Sequence, residues 1–291
     1  MRNGILGAAA AMFLVGTLAG VSGLVGSYPI YGGQAIRYLV AAVILLVITR
    51  VIGLRFVRMT RREMLCLAGL TLFGLVLFNV CVVQSTLASG PALVGTVLGT
   101  VPLALALAGG RPAPRLLIGA VVVVAGATLA TGLGSGNLTG LLWALGALVG
   151  EICFSLLAIP LLPRLGAIRT SAYSTTLAVP MLVVVGLADT GTGMLRVPTL
   201  PEALGFAYLA IVVTVVAFFL WYTSLPKLGP GRAGLFAGLI PVAAIVTGAV
   251  LGVALPSAYD LLGAALVIAG ILVGLTAERP GAPAVVRPSE A

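Results

Sequence analysis

The sequence predicts an all-α integral membrane protein of ten transmembrane helices, arranged as two inverted five-helix repeats. Three observations predict it. The 291 residues are 60% hydrophobic and 8% charged, with a mean hydropathy of +1.23, which is more apolar surface than a soluble core of this size can hide. The apolar residues gather into ten runs, each close to the roughly 20 residues that cross a hydrocarbon core of about 30 Å at 1.5 Å rise. Finally, Gly90, Pro91, Gly95, Gly99 and Pro102 recur 139 positions later as Gly229, Pro230, Gly234, Gly238 and Pro241.

The first span is expected over 6–26. Behind Arg2 it superficially resembles a secretory signal peptide, but it is as long as a spanning helix and is followed by comparable runs, so it reads as a span. The second, 32–51, carries Arg37 near its start, and the third, 64–86, follows a basic loop and carries Asn79. The fourth, 91–109, opens on Pro91, an ordinary first-turn position, and holds Pro102 at mid-span. The fifth, 115–133, contains Gly119 and Gly126; the sixth, 139–162, contains Glu151; the seventh covers 168–188 and the eighth 203–225. The ninth, 230–253, repeats the fourth with Pro230 and Pro241, and the tenth, 259–276, echoes the fifth through Gly263 and Gly270. Short connections leave no room for a soluble domain. The repeats are therefore 1–136 and 137–277, followed by a disordered tail over 278–291.

Fourteen of the sixteen basic residues fall on one side of this topology, leaving only Arg37 and Arg196 on the other. Short cytoplasmic loops retain Lys and Arg, so both termini are expected in the cytoplasm, and the net charge of +9 reads as a topology signal aided by anionic membrane lipids. No basic stretch interleaved with aromatics points to nucleic acid. Five spans per repeat is an odd number, so the second copy enters from the opposite side. Lys227 and Arg232 flank the ninth span where Ala88 and Leu93 flank the fourth, as insertion from opposite sides requires.

Histidine is absent, and Cys66, Cys81 and Cys153 form no short-spaced pair, so neither a metal site nor a disulfide frame is indicated and no cofactor is implied. Glu151 is the one carboxylate deep in a span, where an ionisable group costs a few kcal/mol unless it faces water or a partner. It is a candidate for proton coupling or for contact with a cationic cargo; the alternative is a packing residue bonded to Ser155. Aligned through Gly16/Gly20 and Gly146/Gly150, its counterpart is Val21. Arg37 offers a fork of donors suited to a carboxylate or phosphate, or else it snorkels or pins two helices. Asn79, Thr96, Thr100, Trp143, Tyr208, Thr214 and Thr247 are polar or amphipathic candidates for lining a path, or ordinary helix-to-helix contacts. Pro102 and Pro241 each remove a backbone hydrogen bond at mid-span and mark symmetric kinks. Small-xxx-small pairs at Gly16/Gly20, Gly95/Gly99, Gly146/Gly150, Gly234/Gly238 and Gly248/Gly252 suit close helix packing.

These features, with the stretch "LPKLGPGRAGLFAGLIPVAAIVTGAVLGVALPSAYDLLGAALVIAGILVGL", resemble the EamA-type transporters of the drug/metabolite transporter superfamily. The resemblance is most specific from Leu228-Gly229 to Pro241 and over "LLGAALVIAG", with Gly90 to Pro102 and Leu117 to Gly126 in register in the first half. The chain departs from the family where a glutamate commonly follows the fourth and ninth spans; here those places read "LAGGRPAP" and "LGVALPSA". The resemblance implies a basket of helices with spans 1, 3, 4, 6, 8 and 9 around a path and spans 5 and 10 peripheral. It also implies export of small metabolites, amino acids or xenobiotics, often coupled to protons.

The expected protein is thus an inner-membrane secondary transporter, an exporter of a small organic metabolite or amino acid that rocks its two halves around a midplane cavity. One rival is a cationic-drug efflux protein, which needs an aromatic cavity that a 6% aromatic chain with few mid-span rings does not advertise. Another is a non-transporting scaffold or sensor, in which Arg37 and Glu151 pair tightly within a sealed bundle. An enzyme is not expected, because no nucleophile elbow, phosphate loop or paired carboxylates appear.

Overall fold

The computed structural model describes residues 2–108, 112–132, 137–252 and 255–276, and all regular secondary structure among them is helical. In chain order, α1 comprises Arg2–Gly16 and its continuation Leu18–Val25; α2 is Ile30–Val51; α3 is Arg61–Ser89; α4 comprises Pro91–Leu98 and Val101–Ala108; α5 is Pro114–Thr131. Then follow α6 (Leu138–Leu156), α7 (Leu162–Thr190), α8 (Leu200–Leu228), α9 (Pro230–Val250) and α10 (Ala258–Leu275). Eight of these are long and apolar enough to cross a membrane; α1 and α4 are interrupted and supply shorter apolar pieces. The expected tail 278–291, the basic Arg111 and the boundary at 136 lie outside the described residues.

The interruptions have local causes. Pro102 brings no N–H to the turn before it, and α4 breaks at Gly99 and Thr100; Pro241 does the same to α9, which tightens to a 3₁₀ turn at Phe236–Gly238. In α7 the backbone turns at Gly166, whose φ of 71° a residue with a Cβ resists. The spacing of 139 extends well beyond the glycines and prolines. Gly90 (φ 79°, ψ 167°) and Gly229 (φ 77°, ψ 159°) make the same turn. A capping box opens α3 at Thr60/Glu63 and α8 at Thr199/Glu202. Each of these helices then widens into a π-helical stretch, Leu70–Leu77 in α3 and Leu209–Val216 in α8.

Helices from 1–136 pack on helices from 137–277: α1 on α8, α2 on α7, α3 on α6, α4 on α9 and α5 on α10. The seam of α5 with α10 is close on both sides. A Cβ placed at Gly119 would lie 2.6 Å from the Gly270 carbonyl oxygen, and one at Gly126 would lie 2.7 Å from that of Gly263; the reciprocal distances are 2.7 and 2.6 Å. Gly146 and Gly150 similarly admit α3, with the Phe73 oxygen 2.7 Å from a Cβ at Gly150. By contrast Gly248 and Gly252 have nothing within 4 Å, so that small-residue pair is not a helix contact among the described residues. Backbones approach closely where lipid supplies no hydrophobic drive and dispersion must hold the helices together.

Candidate functional site

The interleaved helices leave a cavity of about 350 Å³, within the size range of small-molecule sites. Its described lining comes from α1, α2, α3, α4, α6, α8 and α9, and none of it from α5, α7 or α10. A wider cleft of about 630 Å³ lies between the end of α5 and the start of α10, and it gathers none of the candidate residues.

Arg37 and Glu151 both line the cavity. Arg37 stands seven residues into α2, roughly 10 Å along the helix, and is 7% exposed. Its Nε donates to Thr214 Oγ1 at 2.8 Å and its Nη1 to Gln34 Oε1 at 3.3 Å, while the guanidinium carbon lies 5.3 Å from the centroid of the Tyr38 ring. Among the described residues no carboxylate pairs with it. Glu151 stands thirteen residues into α6, about 20 Å from its start, and makes no hydrogen bond or ion pair among the described residues. Ser155 is not its partner: that hydroxyl is buried and makes no hydrogen bond among the described residues. The cavity therefore holds a cation and an acid that do not neutralise each other.

Asn79 also lines the cavity, its amide donating to Tyr38 Oη at 3.4 Å. Thr214 is fully buried beside Arg37 and is not itself lining. Thr100 turns its hydroxyl to the Val97 carbonyl at 2.7 Å and does not reach the cavity; Thr247 does the same toward Ala243. Thr96 bonds the Gly132 carbonyl, and Tyr208 bonds Thr17 at 2.8 Å, so each ties helices together. Trp143 lies on the outer face of α6, 38% exposed, because Ala144, Ala147 and Phe154 are the residues that this helix turns inward. Pro102 and Pro241 do not line the cavity; their neighbours Val101 and Ile240 do.

Sequence reasoning missed the aromatic wall. Tyr38, Phe78, Phe154, Phe218 and Trp221 line the cavity, and Phe154 meets Phe218 at 4.9 Å and Tyr222 at 5.1 Å between ring centroids. Trp221 Nε1 and Tyr222 Oη are buried without a hydrogen-bond partner among the described residues. The spacing of Phe218, Trp221 and Tyr222, one face of a helix, is the signal that was available. The alignment of Glu151 with Val21 also shifts. Gly7 of α1 packs on Leu220 and Ser224 of α8, and Gly146 of α6 packs on Cys81 of α3. Gly7 to Gly146 and Cys81 to Leu220 are each steps of 139, which pairs Glu151 with Met12, another lining residue.

Two charged clusters brace opposite ends of the bundle. At one, Glu63 accepts from Arg164 at 2.7 Å and caps α3 through Thr60. At the other, Glu202 caps α8 through Thr199, accepts from Ser27 at 3.0 Å and pairs with Arg196. The Glu202 carboxylate beside it raises the Arg196 guanidinium above its ordinary value, and Tyr28 lies 4.8 Å beneath that cation.

The model of the EamA-like transporter family matches residues 135–276. A Bacillus subtilis (strain 168) protein, "Uncharacterized transporter YetK", is 27% identical over 281 residues, covering 91% of this chain and 84% of that relative. A solved crystal structure, 19% identical, superposes with a TM-score of 0.78 over 94% of this chain and 96% of its own, which shows a shared fold.

Proposed function

We propose that this chain, a multi-pass membrane transporter whose residues 135–276 match the EamA-like transporter family, exports a small organic metabolite or amino acid by alternating access. One observation carries the proposal: Arg37 and Glu151 share a cavity of about 350 Å³ without pairing. A zwitterion neutralises both, with its carboxylate on the Arg37 fork and its ammonium toward Glu151. A sealed scaffold has no use for a cation and an acid left without partners beside an open volume, since burying an unpaired ionisable group costs several kcal/mol. Glu151 serves as the proton-coupling group, loaded from one side when the cargo ammonium is absent.

The transport path is built from two inverted five-helix repeats, 1–136 and 137–277, and ten crossings of the inner membrane. Support comes from the recurrence at 139 of the Gly-Pro turn, the capping box and the π-helical stretch. Both termini are cytoplasmic. The guanidinium groups of Arg164 and Arg169 meet backbone carbonyls of Arg58 and Arg55, so basic residues of separate loops collect at one end of the bundle, as the charge rule for cytoplasmic loops requires. A second reading, efflux of a cationic drug with Glu151 as its counter-ion, draws support from the aromatic wall around that acid.

The test is thermal stabilisation of the purified protein by the twenty L-amino acids, each compared with its primary amide. Stabilisation by one or more of the acids, lost in the matching amide, supports a zwitterionic cargo. Amides that stabilise as well as or better than acids support the cationic reading and overturn the first. In proteoliposomes, Glu151→Gln should fold normally and lose pH-gradient-driven flux; undiminished driven flux removes the coupling role.

A further inference from the structure

The polar groups at the cavity break the symmetry that the spacing of 139 otherwise keeps. Arg37 has Thr176 at the corresponding position, whose hydroxyl donates to its own helix at Ala172, and Thr214 corresponds to Leu75. The arginine and the hydroxyl that holds it thus depart from the repeat together. They lie 177 residues apart in sequence and 2.8 Å apart in space.

The local geometry explains how the hydroxyl works. Over Leu209–Val216 α8 is wound wide, and Thr214 Oγ1 donates to the Leu209 carbonyl five residues back at 2.9 Å. A threonine hydroxyl has one hydrogen, so with that hydrogen committed only its lone pairs face Arg37, and Nε donates to them. Of the five guanidinium hydrogens, Thr214 takes the one on Nε and Gln34 takes one on Nη1. The remaining three, on Nη1 and Nη2, are left for an anion.

We propose that Thr214 is a positioning residue: anchored by the wide turn of α8, it pins the Nε edge of Arg37 and leaves the Nη1/Nη2 end to receive a carboxylate. The carboxylate portion rests on the cargo assignment above; the pinning of Nε does not. Without the anchor, the long arginine side chain exchanges one fixed orientation for several, and the fork loses its preorganisation.

The experiment has one arm that needs no ligand. Hydrogen exchange at the Arg37 Nε–H is followed by NMR of ¹⁵N-labelled protein, with the resonance identified by its loss in Arg37→Lys. In Thr214→Val, which keeps the branched shape and removes the hydroxyl, exchange should quicken by about tenfold or more, and Thr214→Ser should restore slow exchange. Unchanged exchange in Thr214→Val, or a serine variant that behaves like valine, overturns the proposal. Thr214→Ala is a second hydroxyl-free variant should valine not fold. The other arm measures binding of the twenty L-amino acids and their primary amides: Thr214→Val should weaken the acids by about tenfold and leave the amides unchanged. If Arg37→Lys leaves acid binding intact, the carboxylate assignment fails, while the exchange arm still decides whether Thr214 pins Arg37.

Discussion

The α5–α10 seam makes a quantitative prediction. A methyl group at position 126 meets the Gly263 carbonyl oxygen and the Val267 nitrogen at 2.7 Å and the Leu266 Cβ at 2.8 Å, whereas ordinary contact begins near 3.4 Å. Backbone atoms cannot rotate aside as a side-chain tip does, so Gly126→Ala must part the two helices by about 0.7 Å. Overpacking of this kind costs about 1–3 kcal/mol, which lowers the melting temperature by about 2–10 °C in a chain of this size. Gly248→Ala is the control. No described residue lies within 4 Å of that position, so the added methyl only removes backbone freedom and should leave the melting point unchanged or raised. Gly263→Ala on the facing helix should cost as much as Gly126→Ala alone, and the double variant less than the total of the two, because the first substitution opens the gap that the second needs. The assay is intrinsic fluorescence on heating, with Trp143 and Trp221 as reporters. Equal melting points for Gly126→Ala and Gly248→Ala would overturn this account of the seam, as would strict additivity across it.

Trp221 lines the cavity and Trp143 does not, so in a Trp143→Phe background a cargo that enters should still change the fluorescence; a signal that survives only in Trp221→Phe contradicts the assigned cavity. At the ends of the bundle, Glu202→Gln should lower the melting temperature more than Glu63→Gln does. Glu202 holds Arg196, Thr199 and Ser27, whereas Glu63 holds Arg164 and Thr60; the reverse order in a thermal melt would show that these networks do not share the load as drawn.

Much of the helical architecture was legible along the chain. Pro91 and Pro230 announce helix starts, Pro102 and Pro241 announce kinks, and the T-x-x-E pattern at Thr60 and Thr199 announces capping boxes, because each acts within one turn of its own backbone. The site was legible only in pieces. Arg37, Glu151 and Asn79 stand out by the cost of placing such groups in lipid, yet Trp143 and Thr100 carry the same kind of signal and lie elsewhere. The modest aromatic content concealed a wall of rings, since composition does not record how side chains are gathered.

Read alone, the chain already shows that it is helical, belongs in a membrane and repeats one Gly/Pro pattern at a spacing of 139. Transfer into lipid is a local quantity, accumulated residue by residue, and can be read in a window of about twenty. Only the tertiary structure decided which faces turn inward, that Arg37 meets Thr214 rather than Glu151, and that Trp221 rather than Trp143 reaches the cavity. Those outcomes depend on how each helix rotates and slides against its neighbours. That is settled by close backbone contacts such as Gly119 on Gly270 and Gly150 on Phe73, between residues far apart in sequence.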